Sequence, residues 1–127
     1  MADVKVNSVL LDGYRVENAT RGLNWFADEP EEIGGTNTAP KPSELLLSAL
    51  SGCKLITMRM YAERKGWDVN GLKLDLQIIE KGDKTIVSKK ITFPEALDEQ
   101  QRSRLTEISG RCPVAKMVKD SIDYVIL

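Results

Sequence analysis

The sequence predicts an α+β domain of mainly antiparallel sheet around a long central helix, and three observations carry that prediction. Runs of alternating apolar and polar residues bounded by turn signals fill the first third and recur from Leu72 to Phe93. One long helical pattern covers Ser43 to Lys65, and two shorter ones follow Pro94 and Pro113. The order is three strands, a long helix, a strand hairpin, two helices and a last strand. A nucleotide-binding sheet of parallel strands alternating with helices is therefore excluded. The chain of 127 residues reads as one domain, residues 1–127. That length is enough to bury a core unaided, with roughly two thirds of the unfolded surface removed from water.

Val4, Val6, Val9 and Leu11 lead to Asp12-Gly13, a hairpin signal, and Tyr14 to Ala19 resumes the alternation. A third short strand is expected at Leu23 to Ala27. Residues 28–41 hold Pro30, Gly34, Gly35 and Pro40 and read as a long loop. Gly34-Gly35 is no phosphate loop, because no lysine follows at the required spacing. The long helix ends at Gly66, placed as its C-terminal cap. On a helical wheel of about 100° per residue, Leu46, Ala49, Leu50, Ile56, Thr57, Met60 and Tyr61 surround Cys53, while Leu47, Leu55 and Met58 lie opposite. A helix apolar on two sides is expected under a sheet on one face and under another helix or another chain on the other. Asn70-Gly71 then turns the chain into a strand at Leu72 to Ile78. Lys81-Gly82-Asp83 forms the tip of a hairpin returning from Thr85 to Phe93, Pro94 opens a second helix closed by Gly110, Cys112-Pro113 opens a third to about Ser121, and Tyr124 to Leu127 reads as a strand.

Composition narrows the chemistry. A formal charge of -1 gives no electrostatic footprint for nucleic acid. Lys54 and Arg59 interrupt the best apolar stretch, so no segment approaches the roughly 20 residues of a membrane span. Met1 to Lys5 lacks the pattern of a secretory signal, and a cytoplasmic protein is expected. With two cysteines and no histidine, the chain lacks the ligands for a zinc site, and any activated thiol must be tuned by Arg, Lys or a helix terminus.

Cys112 is placed as the N-cap of the third helix, where free backbone N–H groups and the helix dipole favour a thiolate, and Arg111 and Lys116 lie nearby. The alternative is a small residue that merely caps a helix. Cys53, in its apolar segment, reads either as a small core residue or as a thiol activated by a cation from outside its helix, with Arg15 and Arg21 as candidates. Glu44 precedes Cys53 by nine positions, about 13 Å of helical rise, so the two do not touch on one straight helix. Glu44 either serves a thiol of a second chain or complements its own helix N-terminus.

The run from Pro42 to Cys53, the loop Glu31-Glu32-Ile33-Gly34-Gly35, the segment Lys65-Gly66-Trp67-Asp68-Val69 with Gly71-Leu72, and above all Cys112-Pro113-Val114-Ala115-Lys116 resemble the OsmC/Ohr family. The resemblance spans nearly the whole chain. It implies an intertwined homodimer with a cysteine pair at each interface site. It also implies a thiol peroxidase in which the helix cysteine, Cys53 by position, is oxidised by an organic hydroperoxide and Cys112 resolves it as a disulfide. A dithiol reductant, lipoyl or thioredoxin-like, would restore the pair, and the resemblance implies no metal or organic cofactor. In catalytic members a glutamate directly follows the proline that opens the long helix; Ser43 stands there in this chain, with Glu44 one step displaced. Where the family carries its arginine, at the end of the first strand, the chain reads Leu10-Leu11-Asp12-Gly13. These departures keep open a second reading, a non-catalytic dimer that binds a small apolar ligand or serves as a redox sensor.

Overall fold

The computed structural model describes residues 4–119 and 122–127. Its elements bear out the α+β class: one long helix, two shorter ones and two antiparallel sheets among the described residues. The chain divides into two compact units, one ending at Leu46 and the other beginning at Leu47.

In the first unit β1 (Asn7–Leu10), β2 (Val16–Thr20) and β3 (Leu23–Ala27) form a three-stranded meander, with Asn7 opposite Ala19 and Val16 opposite Ala27. The β2–β3 connection is the two-residue turn Arg21-Gly22, with φ of 48° and 81°. Both residues are left-handed, the geometry that matches the twist of a hairpin. The loop after β3 is organised by one carboxylate. Asp28, 1 % exposed, accepts hydrogen bonds from the backbone N–H groups of Glu29, Thr36 and Thr38 and from the hydroxyls of Thr36 and Thr38. Around it a short 3-10 turn forms at Glu31–Ile33. At Gly35 the backbone passes so close to the Glu29 carbonyl that a Cβ would collide with it.

Helix α1 runs over Pro42–Lys65. Its last turn closes as a Schellman motif, in which Gly66, at φ 72°, donates to the Glu63 carbonyl and Trp67 to that of Ala62. In the second unit α1 is followed by β4 (Lys73–Lys81) and β5 (Thr85–Thr92), paired antiparallel with Leu74 opposite Ile91 and Leu76 opposite Lys89. Then come α2 (Glu99–Ser109) and α3 (Pro113–Lys119). The core of this unit gathers Met58 and Ala62 of α1, Val69, Leu97, and Leu105 and Ile108 of α2, with Leu55, Tyr61, Trp67, Leu72 and Phe93 packed against it.

Two expectations are corrected. The second helix begins at Glu99 and not at Pro94. A capping box, with Asp98 accepting from the Gln101 N–H and Gln101 from the Asp98 N–H, fixes its start, while Pro94 opens a turn closed by Leu97. Gly110 does cap α2, but in right-handed geometry. Tyr124 to Leu127 forms no strand: the segment is exposed, with Tyr124 at 85 %, and it pairs with none of the strands among the described residues. The expected end of the third helix, at Ser121, lies outside the described residues.

Candidate functional site

The two cysteines exchange the environments expected of them. The face of α1 that packs into the core is the one opposite Cys53, through Met58 and Ala62 with Leu55 beside them, and Tyr61, expected on the Cys53 side, also packs against this core. Cys53 is half-buried on a face whose neighbours Ile56 and Met60 are 57 % and 59 % exposed. The long helix therefore presents an uncovered apolar stripe with a thiol in it. Cys112, by contrast, is 1 % exposed. Its carbonyl accepts the Lys116 N–H at 3.3 Å, the first bond of α3, so it flanks the helix as expected. Both thiols are free, and no disulfide joins them.

Arg111 and Lys116 line the same cleft as Cys112, as expected, and two lysines that the sequence did not single out add to the positive charge there. Arg111 turns to Glu107, 3.6 Å away, which also pairs with Arg104. Lys54 of α1 donates to the Ser109 carbonyl at 3.1 Å and Lys89 of β5 donates to the Ser109 hydroxyl at 3.0 Å. Ser109, fully buried at the end of α2, donates its hydroxyl to the Thr106 carbonyl. Burial first, and then the Lys54 ammonium, hold Lys89 below the usual lysine range, against an opposing pull from Cys112. Two clefts flank this cluster. One of about 350 Å³ is lined by Leu50, Lys54, Leu76, Val87, Lys89, Ala115, Val118 and Lys119. The other, of about 330 Å³, is lined by Gly110, Arg111, Cys112, Ala115, Lys116 and Lys119. The available signal was the register of β5, where a lysine stands between Val87 and Ile91 on the strand's apolar face.

Glu44 takes the local role considered for it. Its carboxylate accepts the Lys41 N–H at 2.9 Å and so closes the start of α1. Arg15 and Arg21 belong to the first unit, the two cysteines to the second. The Arg15 guanidinium lies 5.1 Å from the Phe26 ring centroid, and its Nε is buried without a hydrogen-bond partner. Arg21 occupies the exposed β2–β3 turn.

A third cleft, polar and about 760 Å³, surrounds Tyr61. Arg104 Nε donates to the Tyr61 hydroxyl at 2.9 Å, and this bond, before the charges of Arg104, Lys65 and Arg111, lowers the phenol's proton affinity. The contact ties the end of α1 to α2. Among the described residues no group of His, Cys, Asp and Glu side chains is arranged to hold a metal, and no helix is long and apolar enough to cross a membrane.

The fold and sequence were compared with known proteins. A family model described as OsmC-like protein matches residues 35–126. A crystal structure from Psychrobacter arcticus 273-4, of a protein described in terms of osmotic stress induction and detoxification response, superposes with a TM-score of 0.79 at 22 % identity, covering 91 % of this chain and 88 % of that one. An OsmC-like protein from Mycoplasma pneumoniae gives 0.70 at 18 % identity, covering 93 % and 88 %. An organic hydroperoxide resistance protein OsmC from Legionella pneumophila gives 0.62 at 16 %, covering 97 % and 95 %. No curated protein sequence matches the chain.

Proposed function

The chain belongs to the OsmC-like family, and from that premise we propose that it is a thiol-dependent peroxidase of organic hydroperoxides that works as a cytoplasmic homodimer. The observation that carries this reading is the contrast between two free thiols, Cys53 on the uncovered apolar face of α1 and Cys112 buried at the start of α3. The accessible sulfur meets the oxidant first. The Cys53 thiolate attacks the outer oxygen of the hydroperoxide, the O–O bond breaks, and the alcohol leaves with the thiol's proton. Cys53 is then a sulfenic acid. Cys112 attacks that sulfur, water leaves and a disulfide forms, which an external dithiol of the lipoyl or thioredoxin-like class reduces with two electrons.

The apolar stripe around Cys53 suits a second copy of the chain and substrates with alkyl or aryl groups. Of the two candidate arginines, Arg15 is the better cation for Cys53, because a buried guanidinium nitrogen with no partner has a hydrogen bond left to give. Arg21, in an exposed turn, is the weaker one. Glu44 is engaged at its own helix start, which leaves Ser43 without a carboxylate to replace it. That engagement favours the second reading, a dimer that binds an apolar ligand without turnover. Stopped-flow reaction of the reduced protein with cumene hydroperoxide separates the two. Rapid loss of both thiols to an intramolecular disulfide, abolished in Cys53→Ser, is expected of the peroxidase; undiminished consumption in that variant rules it out.

A further inference from the structure

We propose that the cleft of about 350 Å³ between α1, the β4–β5 hairpin and α3 binds a carboxylate-headed apolar molecule, its head group on the ammoniums of Lys54 and Lys89 and its chain along Leu50, Leu76, Val87 and Val118. The inference needs no redox chemistry and stands apart from the peroxidase reading.

Two positive charges meet at one buried residue, and among the described residues no carboxylate forms an ion pair with either. Lys54 and Lys89 each spend one hydrogen bond on Ser109, at 3.1 and 3.0 Å. An ammonium carries three donors, so each retains two. The ion pairs of the described residues are those of Glu107 with Arg104 and Arg111, and neither lysine takes part in one. Lys54 and Lys89 carry like charge, and burial first, then the Lys54 ammonium, lower the proton affinity of Lys89. Placing like charges together without a counter-ion is unfavourable, and a bound anion removes that cost.

Position makes the case stronger. Lys89 stands opposite Leu76 in the β4–β5 register, on the face that carries Val87 and Ile91; the residue is exposed along its stem while its ammonium reaches the buried Ser109. On α1, Leu50 and Lys54 are one turn apart and line the same cleft. The result is an apolar wall with a cationic edge, the complement of an alkyl or aryl carboxylate. Its volume lies at the lower end of the roughly 300–1,000 Å³ of small-molecule sites, which fits a medium chain or a single ring.

The test is titration calorimetry of the reduced full-length protein, without peroxide, with octanoate and with 1-octanol. Octanoate should bind at least about tenfold more tightly than the alcohol. Lys89→Met, which keeps an apolar stem on the inner face, and Lys54→Met should each shrink that gap to about threefold or less. Equal binding of acid and alcohol, a gap unchanged in both variants, or no saturable octanoate binding overturns the proposal. Cys53→Ser ends the peroxidase reaction while leaving the acid–alcohol gap in place, so the two readings fail separately.

Discussion

Leu105→Ala tests the packing that places the Ser109–Cys112 segment. Leu105 is 0 % exposed and sits in the core cluster with Met58, Ala62, Val69, Leu97 and Ile108. Truncating a buried leucine costs the lost transfer free energy plus a cavity term, about 2–5 kcal/mol in all. A fully enclosed site relaxes little, so we take about 3.5 kcal/mol. For a chain of 127 residues, at about 2.1 cal/mol/K per residue, the unfolding entropy is about 0.27 kcal/mol/K. The melting temperature should therefore fall by about 13 °C. Differential scanning calorimetry at one fixed protein concentration reads the shift directly, since association would otherwise change the apparent value. Leu105→Met, which nearly conserves volume, should cost less than about 1.5 kcal/mol. A drop of under about 4 °C for the alanine variant, or equal drops for both variants, would refute the core as described.

Three further outcomes are expected. Asp28 is held below the usual carboxylate range, chiefly by the Thr36 hydroxyl and with help from Thr38 and Glu29; its contribution is thus complete above an unfolded value of about 4 and fades as pH falls below it. Asp28→Asn should therefore lower the urea midpoint at pH 7 and flatten its decline in acid, and parallel acid profiles for the two proteins would contradict the assignment. Gly35→Ala drives a Cβ into the Glu29 carbonyl and within 2.9 Å of an Asp28 carboxylate oxygen; it should lower the melting temperature measurably and speed proteolysis within residues 28–41, whereas Gly52→Ala, with open space around it, should not. Ile56→Asp with Met60→Asp places charge on the uncovered stripe of α1, and light scattering should show a dimer becoming a monomer; a wild-type monomer at micromolar concentration would sink the dimer.

Much of this architecture was readable in the residues, for local reasons. Leu23–Ala27 forms a strand where one was expected, and Gly66 and Asn70-Gly71 end one element and begin the next, because turn geometry is set by the residues in the turn. The start of α2 was also written locally, in Asp98 and Gln101, but Pro94 offered an earlier plausible start and the capping box overrides it. Tyr124 to Leu127 has strong strand propensity, yet a strand exists only in a ladder, and propensity supplies no partner. The roles of the two cysteines were illegible for a different reason. Both faces of α1 are apolar, and which one meets the core is decided by α2 and the segment around Val69, far along the chain. The Lys54–Ser109–Lys89 cluster joins three elements that only tertiary packing brings together.

An inward-facing lysine on a hairpin has a consequence for solubility. Among the described residues β4 and β5 pair only with each other, so each has an edge whose backbone donors and acceptors no other described strand takes up. Such edges invite stacking into fibrils, and a charge on the inner face makes that stacking unfavourable because a second hairpin would have to bury it. The same ammonium also guards register: a slip by one residue would turn Val87 and Ile91 outward and bring Ser88 and Lys90 in. Strand β5 thus carries its own protection against misassembly, paid for in packing.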